Sequence, residues 1–95
     1  MTLPVNNTGA APVLPDGFVV VVKQECETCQ TVVPVLEQLA DNVRLTVYCQ
    51  DEPGFPESPA AIDDTSLFVS WHHEIETVPT LIKVENGVEV NRTIG

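Results

Sequence analysis

The fold is decided by the stretch Phe18-Val19-Val20-Val21-Val22, which leads after three further residues to Cys26-Glu27-Thr28-Cys29. The first part is short, apolar and mostly β-branched, which is typical of a central parallel strand that is buried on both faces. A helical pattern over residues 31–40 follows, because its apolar positions recur at the spacing of one helix face. Two thiols between a strand and a helix can close a small disulfide ring or bind a soft metal. The sequence therefore predicts a functional site at this edge of a sheet, where the helix start stabilises a thiolate.

The composition argues against several classes of function. The 95 residues carry a formal charge of −10, so the basic surface that nucleic acids or anionic membranes require is missing. No apolar stretch approaches the roughly 20 residues that span a bilayer, and no signal-peptide pattern follows Met1, so we expect a soluble, cytoplasmic protein. Three cysteines are an odd number, which favours a pair and a spare thiol over a secreted disulfide framework.

The chain is predicted to consist of a flexible arm and one α/β domain. Residues 1–17 contain prolines and no periodic apolar face, so we predict an arm without regular structure before a domain over residues 18–95. The first helix of the domain contains Pro34, which either kinks the helix or marks a later start. Residues 44–49 alternate as a second strand, which completes a βαβ unit with a right-handed crossover. The proline-rich residues 50–64 are predicted to be a loop.

The second half of the domain is predicted to contain a helix and a hairpin. After Asp64-Thr65-Ser66, whose side chains can cap a helix, apolar residues recur at helical spacing and predict a helix of about ten residues. Residues 80–84 are β-rich, and Asn86-Gly87 is the commonest short signal for a type I′ turn between antiparallel strands. We expect no further helix over these last strands, so a second copy or another part of a larger protein would cover that side of the sheet.

These features resemble the thioredoxin superfamily over residues 18–95. The cysteine pair follows an apolar strand, Pro34 stands five residues after Cys29, and Thr77-Val78-Pro79-Thr80 enters a strand that turns at Asn86-Gly87. The resemblance implies an α/β fold with a thioredoxin-like mixed sheet, in which a βαβ unit is followed by a helix and a C-terminal β-hairpin. It also implies that the peptide bond before Pro79 is cis and faces the dithiol.

The chain departs from the thioredoxin pattern around the dithiol. Glu25 replaces the tryptophan before the first cysteine, and Glu27-Thr28 replaces Gly-Pro between the cysteines. Val20 stands where the family has a buried acid that helps to deprotonate the second cysteine. The domain is also expected to be shortened at both ends, with the closing helix absent.

The resemblance implies a thiol–disulfide oxidoreductase that needs no cofactor. Cys26 would be the attacking thiolate, and Cys29 the buried thiol that breaks the mixed disulfide. The substrate would be a protein or peptide disulfide, and a thiol reductase would donate the electrons. Glu25 and Glu27 oppose ionisation of Cys26, so we expect its pKa in the upper part of a range of roughly 3.5 to 7.5, which makes the couple reducing. We expect the substrate-binding surface to comprise four residues, with Phe55 beside them: Val78, Pro79, Thr28 and Trp71.

Two other interpretations of the cysteines stay open. The chain can be a non-catalytic interaction or scaffold module of a larger protein or complex, with the same fold and an inert dithiol. Alternatively, the three cysteines can form a zinc site with His72 or His73, although the later ligands lack the tight spacing of zinc knuckles. Cys49 is more simply a small buried apolar residue, and we expect the two histidines on the solvent side of their helix.

Overall fold

The computed structural model describes residues 12–95, in which a five-stranded mixed sheet packs with two helices. The elements follow in the order β1 (Gly17–Val22), α1 (Glu27–Asn42), β2 (Leu45–Cys49), β3 (Ala61–Asp63), α2 (Phe68–His72), β4 (Thr80–Glu85) and β5 (Val88–Ile94). The spatial strand order is β3-β2-β1-β4-β5. β1 and β3 each run parallel to β2, whereas β4 is antiparallel to both β1 and β5. The predicted mixed α/β fold is confirmed.

The central strand β1 forms the middle of the core, as its valine run predicts. Val19, Val20, Val21 and Val22 are each exposed by 2% or less. Burying a side chain of this size contributes about 1.5 to 3 kcal/mol, so this strand is a principal source of stability. Because successive side chains point to opposite faces, the run serves two apolar clusters.

The two clusters lie on opposite faces of the sheet. On the α1 face, Val20 and Val22 pack with Leu36, Val47 and the two buried cysteines, Cys29 and Cys49. On the other face, Val19 packs with Ile82, Val84 and Leu14, and Val69 of α2 lies beside them. The cysteine pair therefore belongs to the face that carries α1.

Helix α1 is longer than the predicted segment of residues 31–40 at both ends. It begins at Glu27 with Cys26 as its N-cap, and it runs through Pro34 to Asn42. Pro34 therefore lies inside the helix and does not mark its start. In residues 12–95, neither helix combines the length and hydrophobicity that a bilayer span requires.

Residues 50–64 are not entirely a loop, contrary to the prediction. Ala61–Asp63 form β3, which pairs in parallel with the end of β2. A three-residue strand after a run of prolines has no periodic pattern of its own, and only the neighbouring strand makes it regular.

The predicted ten-residue helix is wrong in length, because α2 spans only Phe68–His72. Leu67 before it and Glu74 after it both have positive φ values, 63° and 56°, which interrupt the helical backbone. The N-cap residue is Leu67, which makes no side-chain capping bond, and Asp64 from the predicted set caps the first turn from a more distant position. The buried Asp64 carboxylate accepts the N–H groups of Val69 and Ser70, each at 2.9 Å.

The hairpin and the start of the described chain pack together. Asn86 and Gly87 have φ values of 55° and 76°, as a type I′ turn requires, and the predicted hairpin is confirmed. The Gly87 N–H donates to the Asp16 carboxylate at 2.8 Å, and Leu14 is buried. The predicted arm is thus described only from residue 12 onward, where it lies against the sheet, and its residues 1–11 lie outside the described part.

Candidate active site

Cys26 is held at the start of α1 by its own backbone position. It is the N-cap residue, with extended dihedral angles of φ −124° and ψ 114°, and its sulfur accepts the Cys29 N–H at 3.3 Å. Its carbonyl oxygen accepts the Gln30 N–H at 3.0 Å. A sulfur in this place uses a free N–H of the first helical turn and lies at the positive end of the helix dipole, and both effects favour a thiolate.

The pKa of Cys26 is lowered from its ordinary value. The hydrogen bond with the Cys29 thiol lowers it most, partial burial opposes the change, and the N–H groups of Cys29 and Thr28 and the charge of Lys23 lower it further. The flanking Glu25 and Glu27 are both exposed. A lowered pKa fits an attacking thiol. The expectation that the pKa of Cys26 lies in the upper part of the range for such motifs stays a prediction.

Cys29 has the opposite character, since its side chain is fully buried. Its sulfur accepts the backbone N–H of Lys23 at 3.4 Å. Burial, together with its hydrogen bond to Cys26, raises the pKa of Cys29 to about 12. Cys26, Cys29 and Cys49 are all free thiols, so the dithiol is in its reduced form.

The segment before β4 meets the dithiol. The Cys26 thiol donates to the Val78 carbonyl oxygen at 3.8 Å, and the Val78–Pro79 peptide bond is cis. The hydroxyl of Thr80, which is buried at the start of β4, donates to the Thr77 carbonyl oxygen and ties the segment to the strand. The backbone of Val78 is therefore within reach of any group that approaches the Cys26 sulfur.

Sequence reasoning missed a further residue beside the dithiol, Asp51. Its carboxylate accepts the N–H groups of Gln24 and Glu25, at 2.8 and 3.1 Å, and the Cys49 thiol at 3.4 Å. Burial opposes ionisation of Asp51, but these hydrogen bonds and the charge of Lys23 lower its pKa overall. The available signal was positional, because Asp51 follows the parallel neighbour of β1 and the carboxyl ends of parallel strands meet at one edge.

The predicted substrate-binding residues lie at different distances from the dithiol. Thr28 is exposed in the first turn of α1, and Val78 and Phe55 pack against the same apolar cluster as Cys26. Trp71 lies on α2 with 52% of its surface exposed, and its described aromatic contact is with His72. The structure thus places Thr28 and Val78 next to Cys26 and packs Phe55 against the apolar cluster that contains Cys29, whereas Trp71 contacts His72.

The zinc set that the sequence allowed is not assembled. Within residues 12–95, no three His, Cys, Asp or Glu side chains form a group that could hold a metal ion. The expectation that both histidines lie on the solvent side is wrong. Both are half-buried; His72 Nε2 is buried without a hydrogen-bond partner in the described part of the chain, and His73 Nε2 contacts the Pro12 carbonyl oxygen at 2.6 Å.

An apolar groove lies between α1 and the strands β4 and β5, next to the cis peptide bond. It has a volume of about 240 Å³ and is lined by Leu36 and Leu39 of α1 and by Pro79, Leu81 and Thr93 on the sheet side. The outward Val35 of α1 is 60% exposed beside it. This part of the α1 face is open to solvent.

Comparisons with known proteins agree with the architecture. No protein-family model matches the sequence, and no curated protein matches it. Among solved structures, thioredoxin 1 from the thermophilic eubacterium Thermosipho africanus TCF52B is similar with a TM-score of 0.60 and 18% sequence identity. The match covers 82% of this chain and 75% of that chain. The chain therefore has a thioredoxin-like fold, with its cysteine pair at the start of the first helix.

Proposed function

We propose that this chain is a thiol–disulfide oxidoreductase that exchanges its Cys26/Cys29 dithiol with a protein or peptide disulfide. The observation that carries the proposal is the contrast between the two thiols. Cys26 is accessible, caps the helix and has a lowered pKa, whereas Cys29 is buried and keeps its proton to a pKa of about 12. A pair with one reactive and one protected sulfur suits stepwise exchange.

The reaction proceeds in two displacements. The Cys26 thiolate attacks one sulfur of the substrate disulfide, and the other substrate sulfur leaves as a thiolate and takes up a proton. Cys29 then loses its proton and attacks the Cys26 sulfur, which releases the second substrate thiol. The substrate disulfide gains two electrons, and the Cys26–Cys29 disulfide takes its place in the protein. A thiol reductase as electron donor restores the dithiol.

The substrate segment binds beside Val78 in this proposal. The Val78 carbonyl oxygen lies 3.8 Å from the Cys26 sulfur, so an extended peptide that pairs with this backbone places its disulfide at the thiol. Pro79 and Thr28 form the adjoining wall, whereas Trp71 on α2 is not part of this surface. The exposed acids beside the site, Glu25 and Glu27, favour substrates with basic residues near the disulfide.

Insulin reduction tests the proposal, with the native chain beside the Cys26→Ser and Cys29→Ser variants. We expect the native chain to reduce insulin with a thiol reductant as electron source, and Cys26→Ser to be inactive. Cys29→Ser keeps the nucleophile but cannot complete the exchange, so it should accumulate a mixed disulfide visible by mass spectrometry. Equal rates for the native chain and Cys26→Ser would refute the proposal.

A second candidate, a non-catalytic interaction or scaffold module, is favoured by one observation. The groove beside Leu81 leaves apolar surface of α1 and β4 open, which suits a partner surface. In that case, insulin reduction fails, and Val35→Glu at the edge of the groove abolishes an association that light scattering or pull-down from the native complex detects. An active, monomeric native chain excludes this alternative.

A further inference from the structure

The Asp51 carboxylate accepts three hydrogen bonds, two of them from the backbone of the residues directly before Cys26. Its Oδ1 accepts the Gln24 N–H at 2.8 Å and the Cys49 thiol at 3.4 Å, and its Oδ2 accepts the Glu25 N–H at 3.1 Å. The exchange reaction described above has no step that uses this side chain.

The place of Asp51 follows from the parallel pairing of β1 and β2. Val22 and Cys49, the last residues of the two strands, are register partners, so the segments that follow them leave the sheet at the same edge. Gln24 and Glu25 lie beyond the end of the β1 ladder, so strand pairing does not satisfy their N–H groups. The Asp51 carboxylate accepts a hydrogen bond from each of these N–H groups, which belong to the two residues directly before Cys26.

The segment of residues 24 and 25 is also hydrogen-bonded to α1. The side-chain amide of Gln30 donates to the Gln24 carbonyl oxygen at 2.6 Å. The backbone before Cys26 is therefore held from two sides, by Asp51 after β2 and by Gln30 in the helix. A shift of this segment would move the Cys26 sulfur away from the Cys29 N–H.

We propose that Asp51 is a positioning residue for Cys26: its carboxylate holds residues 24 and 25 so that the thiol stays at the start of α1. The consequence for catalysis rests on the proposed exchange function, but the effect on the thiol does not. Repulsion between the Asp51 carboxylate and the Cys26 thiolate would act in the opposite direction, because a like charge disfavours the thiolate. Variants that both remove the charge therefore report the effect of the hydrogen bonds alone.

Two substitutions that remove the same charge form a matched pair. Asp51→Asn keeps one oxygen that can accept the Gln24 N–H, whereas Asp51→Ala keeps no acceptor. The measurement is the iodoacetamide alkylation rate of Cys26 against pH on the full reduced chain, with the modified cysteine identified by mass spectrometry. Lys23, Glu25 and Glu27 keep their charges in every variant, and Cys29 and Cys49 keep their thiols.

We expect the alkylation midpoint of Asp51→Ala to lie above that of Asp51→Asn. At a pH below both midpoints, Cys26 should be alkylated about fivefold more slowly in Asp51→Ala than in Asp51→Asn. This rate ratio corresponds to the free energy of one ordinary hydrogen bond, about 1 kcal/mol. Glu52→Ala is the control, because Glu52 is an exposed neighbouring acid whose described bond is to the Gly54 N–H. Its midpoint should fall slightly or stay the same.

Equal midpoints in the asparagine and alanine variants, or a lower midpoint in the alanine variant, would overturn the proposal. Thermal unfolding of each variant verifies that the rates come from folded protein, and Asp51→Leu, which also lacks an acceptor, replaces the alanine variant if that chain does not fold. Alkylation does not require disulfide reduction. A native chain that fails to reduce insulin would therefore refute the proposed function and leave this test of Asp51 intact.

Discussion

The Cys26 thiol donates to the Val78 carbonyl oxygen at 3.8 Å, although 52 positions separate the two residues in the chain. The antiparallel pairing of β1 and β4 explains this contact. Val21 near the carboxyl end of β1 pairs with Thr80 at the start of β4. The segment that leaves β1 and the segment that enters β4 must therefore meet at one edge of the sheet.

The raised pKa of Cys29 makes the stability of the reduced chain depend on alkaline pH. The folded state holds the Cys29 proton to a pKa of about 12, whereas an unfolded cysteine loses it near about 8.5. Between these two pKa values, deprotonation of Cys29 lowers the free energy of the unfolded state but not that of the folded state. The contribution of the Cys29 proton to stability is therefore complete below the unfolded pKa and is lost as pH rises toward the folded pKa. We expect the free energy of unfolding to fall by up to about 1.4 kcal/mol per pH unit in this window. Urea denaturation at several pH values measures it, and Cys29→Ala should remove this contribution.

Introducing an acid at Val20 should speed the release of mixed disulfides. Val20 is 2% exposed and belongs to the same cluster as Cys29, which must lose its proton before it attacks. A carboxylate buried there has a raised pKa and can accept that proton, so we expect Val20→Asp to resolve a trapped mixed disulfide about tenfold faster. The same buried acid should lower stability by several kcal/mol.

The control for this prediction is Val20→Asn, which brings a similar polar group without a proton acceptor of suitable pKa. Stopped-flow measurement of mixed-disulfide decay compares the variants. If the asparagine variant accelerates decay as much as the aspartate variant, loosened packing and not proton transfer is the cause.

Loss of the Asp64 carboxylate should destabilise the chain. This buried side chain accepts the N–H groups of Val69 and Ser70 and the Ser70 hydroxyl, the last at 2.6 Å. Asp64→Ala leaves these donors without a partner at the start of α2, and we expect a loss of about 2 to 4 kcal/mol in the free energy of unfolding. Chemical denaturation measures the loss. Asp41→Ala, at an exposed position of α1, serves as the control and should change stability by less than about 0.5 kcal/mol.

Arg92 should contribute to stability because it links β5 to the residues after α2. Its guanidinium makes two bonds of 2.8 Å to the Glu89 carboxylate and donates to the carbonyl oxygens of His73 and Glu74, at 2.7 and 3.0 Å. We expect Arg92→Ala to cost about 2 kcal/mol, since the carbonyl oxygens lose a charged donor. The measurement is again denaturant unfolding.

The exposed pair Lys83–Glu85, at 3.4 Å, offers the comparison for Arg92. Lys83→Ala should cost less than about 0.5 kcal/mol, because solvent screens a pair of this kind. Equal losses for Lys83→Ala and Arg92→Ala would show that the carbonyl contacts of Arg92 add nothing.

Some of the fold and of the site was predictable from local pattern. The valine run of β1, the apolar spacing of α1 and the Asn86-Gly87 turn each specify their element from neighbouring residues alone, and all three were predicted correctly in kind. The contrast between Cys26 and Cys29 was implied by the resemblance to the thioredoxin superfamily, and the position of Cys26 as the N-cap of α1, with Cys29 buried, agrees with it.

The rest depended on contacts between distant parts of the chain. β3 is a strand because it pairs with β2, and Asp51 reaches the backbone of the two residues before Cys26 because the parallel strands β1 and β2 end together. The sequence by itself determined the strand, the helix and the cysteine pair between them, whose signals lie within a few neighbouring residues. Only the tertiary structure decided what surrounds the pair, since hydrogen bonds and burial across the sheet join residues that no local periodicity connects.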